Sequence, residues 1–222
     1  NIKNILQAFQ AGADIVDLGL KKENIATVSQ GWGIVRRNIE QIMQMTMNML
    51  SFSKTREPNL HHCSLSKLIG DVVSDLQHKA SERRVALRTE LQEPFPPVPL
   101  DEDGITQAAM NLISNAIEAV AEDTGTVTVS TRFDEDNGIA EFSVSDNGPG
   151  IPHNEMEHIF EPFKSTKGYG GTGLGLPVAR KIVQEHGGHL LVENTPGKGV
   201  TFRARLPIHQ ASRTSGDTFS NE

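Results

Sequence analysis

The chain has 222 residues, 36% hydrophobic and 22% charged, which is ordinary for a globular protein of one or two domains. Its net charge of −7, with no block of lysine and arginine, argues against nucleic acid as the main partner. There is no apolar run of the roughly 18–20 residues that a membrane span needs, and no signal segment opens the chain. Cys63 is the single cysteine, which excludes an internal disulfide framework and favours a reducing compartment. Because the chain opens on Asn1 rather than Met, we expect part of a longer protein, cytoplasmic here even if the parent is membrane-anchored.

The first region, residues 1–57, carries apolar residues at helical spacing. They recur at intervals of three and four over residues 2–20, and again over 35–49 after a polar break at 21–24. This spacing predicts two amphipathic helices that form an antiparallel hairpin ending near Pro58. Two helices alone cannot enclose a core, so we expect a homodimer whose four helices form a bundle.

The second region, residues 58–207, predicts an α+β domain with a mixed sheet covered by helices on one face. The patterns first predict a helix over 66–82 capped by Ser64 or Ser66, a strand over 85–91 and an extended proline connector over 94–99. A helix follows from the cap Asp101 to about Ala121, and then a hairpin of 126–133 with 139–145 that turns at Asn137-Gly138. The last predicted elements are a helix over about 174–186 and a hairpin of 189–193 with 200–206. Residues 208–222 are polar and aperiodic, which predicts a disordered tail.

A polar stripe runs along the helix that Asp101 opens. Its members follow spacings of four, four and three: Gln107, Asn111, Asn115 and Glu118. The flanking positions are apolar, and an unpaired buried amide costs about 1–3 kcal/mol, so the stripe has to face water or a ligand. On this feature alone, a solvated helix face and a binding site remain equally open.

The turn Asp146-Asn147-Gly148-Pro149-Gly150 follows the strand predicted over 139–145. Alternate residues of a strand face the same side, and Asp146 falls on the side of that strand's apolar residues, so its carboxylate is expected to point inward. Gly148 and Gly150 permit tight turns and the close approach of a flat ligand. An inward carboxylate can accept a hydrogen bond from the adenine 6-amino group, and it would repel the guanine carbonyl. An ordinary turn is the alternative, since Asp-Asn-Gly is favourable turn chemistry.

The glycine-rich segment 170–176 runs directly into a predicted helix. Its free backbone N–H groups and the helix N-terminus suit phosphate oxygens. It is neither a Walker loop nor a Rossmann fingerprint, because no Gly-Lys-Ser/Thr closes it and no strand directly precedes it. A long segment of little regular pattern comes before it, and we interpret that segment as a lid with two phenylalanines to anchor it and two lysines to reach phosphates. The residues concerned are Phe160, Phe163, Lys164, Ser165, Thr166 and Lys167.

In order and spacing, these motifs resemble the N, G1, F and G2 boxes of sensor histidine kinases, over about residues 60–206. The four boxes are Asn111…Asn115, Asp146-x-Gly148-x-Gly150, Phe160…Phe163 and Gly171-x-Gly173-x-Gly175. The amino-acid sequences around Asn115 and Phe163 are similar to those of the nitrogen-regulator-like branch of the family. The resemblance implies a sandwich of the GHKL (Bergerat) ATPase type that binds ATP and Mg²⁺. It also implies transfer of the γ-phosphoryl group to a histidine, and then to an aspartate of a response-regulator receiver domain.

The resemblance also assigns roles to residues. Asn115 would hold Mg²⁺ with Asn111 assisting, and Asp146 would bind adenine. Glu118 stands where many members carry a basic residue, so Lys164 or Lys167 would supply that charge, or Glu118 would help hold the metal. The residues implied around ATP are Asn111, Asn115, Glu118, Asp146, Gly148, Gly150, Ile151, Phe160, Phe163, Lys164, Thr166, Lys167, Gly171, Thr172, Gly173, Leu174, Gly175 and Leu176. The residues implied in catalysis are Asn115, Lys167 and Asn4.

The first residues of the chain resemble the positions that follow the phosphoacceptor histidine. That family motif is His-(Asp/Glu)-x-(Lys/Arg)-(Asn/Thr), and Asn1-Ile2-Lys3-Asn4 matches it from the second position onward. The acceptor is therefore expected immediately before Asn1, which itself replaces the usual acid. Asn4 matches the position that orients water in members that also act as phosphatases. None of the eight histidines present is a convincing substitute for the acceptor.

Two other functions fit parts of the pattern. A hydrolytic ATPase of the gyrase, Hsp90 or MutL kind needs a carboxylate one helical turn before the metal-binding asparagine. Asn111 occupies that position, and an amide cannot take a proton, which disfavours hydrolysis. A non-catalytic scaffold with a structural nucleotide stays open because no acceptor histidine is present.

Overall fold

The computed structural model describes residues 2–53, 57–164 and 172–208. The chain divides into two compact units, Asn1–Arg56 with Pro152–Lys181 and Glu57–Ile151 with Ile182–Glu222. The domain boundaries near residues 58 and 207 stay predictions, and the expected tail lies outside the described residues from position 209 onward. Across the described ranges, no helix is both long and apolar enough to cross a membrane.

The N-terminal region forms the two predicted helices, α1 (Ile2–Lys21) and α2 (Ile25–Ser53). They run antiparallel, since Gly12 near the start of the chain approaches Ile34 while Gly19 approaches Val28. The polar break becomes a tight turn in which the Asn24 carboxamide oxygen accepts the Thr27 N–H at 3.1 Å. This confirms the predicted hairpin.

Glycine lets the two helices of this hairpin approach closely. A Cβ added at Gly31 would lie 2.7 Å from the Val16 backbone nitrogen and 2.8 Å from the Gly12 carbonyl oxygen. Gly33, two positions on, has room, because the nearest atom to an added Cβ is the Arg37 Nη1 at 3.6 Å. The contact face of α2 is therefore marked by Gly31.

Apart from two additional three-residue strands, the remaining elements match the predicted order. They are β1 (His61–Cys63), α3 (Leu65–Glu82), β2 (Ala86–Glu90), β3 (Val98–Leu100), α4 (Glu102–Ala119), β4 (Thr126–Asp134), β5 (Ile139–Asp146), α5 (Gly175–Glu185), β6 (His189–Thr195) and β7 (Gly199–Pro207). Helix α3 begins after Ser64, whose hydroxyl accepts the Lys67 N–H at 3.3 Å. Helix α4 begins after Asp101, whose carboxylate accepts the Gly104 N–H at 3.4 Å. Both predicted caps are confirmed.

Five strands form a mixed sheet in the order β2-β4-β5-β7-β6. Strands β2 and β4 are parallel, whereas β4–β5, β5–β7 and β7–β6 are antiparallel. One face is apolar and buried, and a row across it joins Val129, Val144 and Phe202. Helices α3 and α4 contact β4 and β5 of this sheet, which confirms the predicted fold class.

A second, two-stranded sheet was not predicted. Residues 94–99 were expected to be an extended connector, but their end belongs to β3, which pairs antiparallel with β1. In this register His62 lies opposite Pro99. Strands of three residues are too short to display the alternation by which longer strands are recognised. The connector prediction was therefore wrong at its C-terminal end.

His186 is buried directly after the last residue of α5. The Asp101 N–H donates to its Nε2 at 3.1 Å, so Nδ1 carries the proton and donates to the Ile182 carbonyl at 2.8 Å. The ring thereby joins the C-terminus of α5 to the N-cap of α4.

Candidate functional site

The polar stripe lies on α4 as predicted. Asn111 is 5% exposed, and Asn115 and Glu118 are half-buried. The apolar flanking positions are all buried: Ile105, Ala109, Leu112, Ala116 and Val120. The burial of Asn111 argues against a fully solvated helix face.

Glu118 has a partner that the sequence did not indicate. The Lys79 Nζ on α3 lies 2.6 Å from the Glu118 Oε1, with both side chains about one-third exposed. Lys164, one of the lysines expected to reach phosphate, pairs with Glu161 at 2.5 Å, and its role toward phosphate stays a prediction. Lys167, the other, lies outside the described residues. Lys79 thus contacts the acidic end of the stripe from a neighbouring helix.

Asp146 ends β5 on the same face as the buried Ala140, Phe142 and Val144, as its parity predicted. The side chain is half-buried, and its Oδ1 accepts the Gly148 N–H at 2.9 Å. A Cβ at Gly148 would lie 2.9 Å from that oxygen and 3.2 Å from the Ala119 carbonyl. Glycine is therefore needed at 148 to keep the loop against the end of α4.

Asparagine side chains fix the loop after Asp146 at both ends. At the start, Asn147 accepts the Thr126 N–H at 2.7 Å and donates to the Thr124 carbonyl at 3.1 Å. At the end, Asn194 on β6 accepts the Ile151 N–H at 2.8 Å and donates to the Ile151 carbonyl at 2.8 Å. Asn194 was missed, because nothing in its local sequence pairs it with Ile151.

Gly150 is held where only glycine fits. Its φ is +72°, and an added Cβ would lie 2.9 Å from the Pro196 Cα and from the Thr195 carbonyl. In addition, the Gly197 N–H donates to the Pro149 carbonyl at 2.7 Å. The backbone after β6 therefore closes directly on this loop.

The expected lid contains no helix or strand over residues 152–164. The Arg180 guanidinium lies 4.8 Å from the centre of the Phe160 ring, a cation–π contact. Glu161 pairs with Lys164 and with the His158 Nδ1, and these contacts, Lys164 first, lower the pKa of Glu161. Phe163 itself is 59% exposed.

Part of the glycine-rich segment touches this lid. The Phe163 N–H donates to the Gly173 carbonyl at 3.0 Å, and a Cβ at Gly173 would lie 2.6 Å from the Lys164 carbonyl oxygen. The Thr172 hydroxyl accepts the Leu174 N–H at 3.3 Å, and Leu174 is fully buried. Gly175 then opens α5, followed by the half-buried Leu176. Thr166, Lys167 and Gly171 lie outside the described residues.

The predicted site residues fall into two groups, one in each compact unit. The first consists of Asn111, Asn115, Glu118, Asp146, Gly148, Gly150 and Ile151. The second consists of Phe160, Phe163, Lys164, Thr172, Gly173, Leu174, Gly175 and Leu176. Asn4 lies in the same compact unit as the second group and is half-buried in the first turn of α1.

Comparison with known proteins agrees with these motifs. Residues 100–210 match the family model described as histidine kinase-, DNA gyrase B-, and HSP90-like ATPase. The signal transduction histidine-protein kinase AtoS of Escherichia coli (strain K12) is 30% identical over 209 residues, which are 94% of this chain and 33% of AtoS. The chain thus spans about a third of the length of AtoS and of the sensor histidine kinase ZraS from the same strain.

Solved structures give the same result. The catalytic domain of histidine kinase ThkA is 34% identical, with a TM-score of 0.61 over 68% of this chain and 96% of that domain. ThkA in complex with the response regulator protein TrrA is 25% identical, with a TM-score of 0.67 over 94% of this chain and 61% of ThkA. Since the family model spans half of the chain and the ThkA domain is matched over nearly its whole length, this chain belongs to the histidine kinases and carries their ATPase-type domain.

Proposed function

We propose that this chain is the ATP-binding and phosphotransfer core of a sensor histidine kinase. The observation that carries the proposal is the loop after β5. There a half-buried Asp146 accepts the Gly148 N–H, and neighbouring asparagines fix the loop on both sides. A fixed carboxylate beside a glycine turn suits the recognition of a flat, amino-bearing base.

The loop fits adenine chemically. A carboxylate offers roughly four lone-pair positions, so accepting the Gly148 N–H does not prevent Asp146 from accepting the adenine 6-amino group as well. The backbone at Gly148 and Gly150 comes so close to its neighbours that side chains at these positions would fill the space. Ile151, held by Asn194, would contribute an apolar contact to the base.

The same motifs support a proposal for how the triphosphate is held. The Asn115 amide oxygen would bind Mg²⁺, which prefers oxygen ligands and keeps substrate phosphates as partners, and Asn111 would assist. Mg²⁺ bound with ATP neutralises charge on the phosphates. The glycines Gly171, Gly173 and Gly175, with Lys164, Thr166 and Lys167, would position the phosphates through N–H groups and ammonium charge.

The reaction we propose is phosphoryl transfer in two steps. In the first, the bond between the γ-phosphorus and the ADP oxygen breaks while a bond forms to a histidine nitrogen. In the second, the phosphorus–nitrogen bond breaks and a receiver-domain aspartate takes the group, as the solved complex of ThkA with a response regulator supports. The acceptor histidine would immediately precede Asn1, and Asn4 would orient water in a phosphatase reaction.

An exposed apolar stripe supports the proposed homodimer. On α2, large apolar side chains with 40–60% of their surface exposed recur on one helical face: Trp32, Ile39, Met43, Met47 and Leu50. The α1 contact uses another face of α2, where Gly31 and Val35 are buried. A second copy of the hairpin would cover this stripe in a four-helix bundle.

Calorimetry with nucleotides tests the proposal. The chain with Mg²⁺ should bind ATP and prefer it strongly to GTP, and Asp146→Asn should weaken ATP binding by about 1–3 kcal/mol. Asp136→Asn, which changes an exposed aspartate in the turn between β4 and β5, is the matched control and should bind as the wild type does. Equal affinities of the wild type for ATP and GTP would refute the adenine assignment.

A further inference from the structure

The ion pair between Lys79 and Glu118 joins the ends of two neighbouring helices. Lys79 lies in the last turn of α3, and Glu118 lies in the last turn of α4. The Lys79 Nζ and the Glu118 Oε1 are 2.6 Å apart, and the two side chains keep 37% and 34% of their surface exposed. The pair is therefore accessible to a ligand as well as mutually satisfied.

The position of Glu118 makes this pair relevant to phosphate. Glu118 is three residues beyond Asn115, so the two side chains are neighbours on one face of α4. If Asn115 holds Mg²⁺ against a triphosphate, an unbalanced carboxylate one turn away would repel phosphate oxygens of like charge. A cation in contact with Glu118 removes this repulsion, and Lys79 is that cation.

We propose that Lys79 supplies the positive charge for the triphosphate beside Asn115, and that Glu118 positions it there. The inference rests on the proposed ATP site. It adds to that site a residue that none of the motifs contains.

A purely structural pair would behave differently. If the contact only fastened α3 to α4, its loss would lower thermal stability and would affect every ligand of the domain equally. If Lys79 balances phosphate charge, its loss should weaken binding in proportion to the number of phosphates. Comparing ATP, ADP and adenosine therefore separates the two roles.

The experiment measures the affinity of ATP, ADP and adenosine by calorimetry, with Mg²⁺, for the wild type and variants. Lys79→Ala should bind ATP on the order of tenfold more weakly than the wild type does. Its affinity for ADP should fall less, and its affinity for adenosine should equal that of the wild type. Lys67→Ala removes an exposed lysine from the first turn of the same helix and is the matched control. Lys79→Arg, which keeps the charge, should retain most of the ATP affinity.

The exchanged variant, Lys79→Glu with Glu118→Lys, keeps the pair and moves the cation to α4. It should restore ATP binding toward the wild-type value, even though neither residue is native. Unchanged ATP affinity in Lys79→Ala, or equal losses for ATP and adenosine, would overturn the inference while leaving the ATP site intact. Failure of the wild type to bind ATP would instead refute the proposed function, and the inference with it.

Discussion

Asn194 holds the backbone of Ile151 by two hydrogen bonds, accepting its N–H at 2.8 Å and donating to its carbonyl at 2.8 Å. Ile151 directly follows Gly150, whose φ of +72° ends the turn that begins at Asp146. The shape of the turn is therefore fixed by a side chain of β6, more than forty residues further along the chain. Its carboxamide makes the two hydrogen bonds that the backbone of a paired strand would make.

This relationship predicts that Asn194→Ala loosens the turn. Losing both partners leaves the half-buried N–H and carbonyl of Ile151 unsatisfied, which should destabilise the loop by about 1–3 kcal/mol. Because the loop holds the proposed adenine site, ATP binding should weaken as well. Amide hydrogen exchange at Ile151 should become faster. Asn194→Asp keeps the acceptor and should keep more of the protection, and Asn137→Ala, in an exposed turn, should leave exchange at Ile151 unchanged. Wild-type protection in Asn194→Ala would contradict the account of the turn.

The close approach of α1 and α2 predicts opposite results for two nearby glycines. Gly31→Ala places a methyl group against backbone atoms of α1, 2.7 Å from the Val16 nitrogen, and should destabilise the hairpin by about 1–3 kcal/mol. Gly33→Ala meets no atom closer than 3.6 Å and should stabilise the helix by about 0.5–1 kcal/mol. Urea denaturation followed by circular dichroism measures both. A Gly31→Ala hairpin as stable as Gly33→Ala would show that the helices are farther apart.

The apolar stripe on α2 predicts the dimer interface. Replacing Met43 and Met47 together by glutamate would bury like charges where the two copies meet, so the protein should become monomeric. Light scattering at micromolar concentration gives the mass. Gln30→Glu adds a charge at an exposed position on another face of α2 and should leave the dimer intact. A wild type that is monomeric at these concentrations would refute the dimer.

The surroundings of Cys63 predict that its thiol reacts slowly and that the rate of reaction depends strongly on pH. Burial, assisted by the Glu102 carboxylate, raises the pKa of the Cys63 thiol from 9.0 to about 11. Raising the pKa favours the neutral thiol, so at pH 8 the reactive thiolate should be about a hundredfold rarer than in the unfolded chain. Alkylation with iodoacetamide should be correspondingly slow in the folded protein, and faster in urea. Glu102→Gln should accelerate it only partly, because burial is the larger cause.

Features written in consecutive residues could be predicted, and features that need two distant segments could not. The caps Ser64 and Asp101 and the inward parity of Asp146 each follow from neighbours along the chain, and the structure confirms them. By contrast, Lys79 and Glu118 are 39 positions apart, and Asn194 and Ile151 are 43 apart. Only the order of strands and helices on the sheet brings such pairs together, and a single sequence does not reveal that order at the level of side chains.

The site itself was predicted as a set of motifs, and the individual contacts to ATP and Mg²⁺ stay predictions. The polar stripe on α4 indicated a candidate face for the site, because amides on a helix otherwise made for burial stand out. The ion pair at the acidic end of that stripe was not predicted. The lysines expected to reach phosphate belong to the lid segment of the sequence, whereas the lysine that contacts Glu118 comes from α3.

The central claim is phosphoryl transfer to a histidine just before Asn1, and transfer from γ-labelled ATP tests it most directly. The chain with a histidine placed before Asn1 should acquire an acid-labile, base-stable label, as a phosphoramidate does, while the chain as it stands should bind ATP without labelling. Asn115→Ala should abolish the label by removing a metal ligand, and His61→Ala, at an exposed histidine of β1, should retain it. Strong labelling of the chain without the added histidine, or rapid ATP hydrolysis without any adduct, would contradict the account.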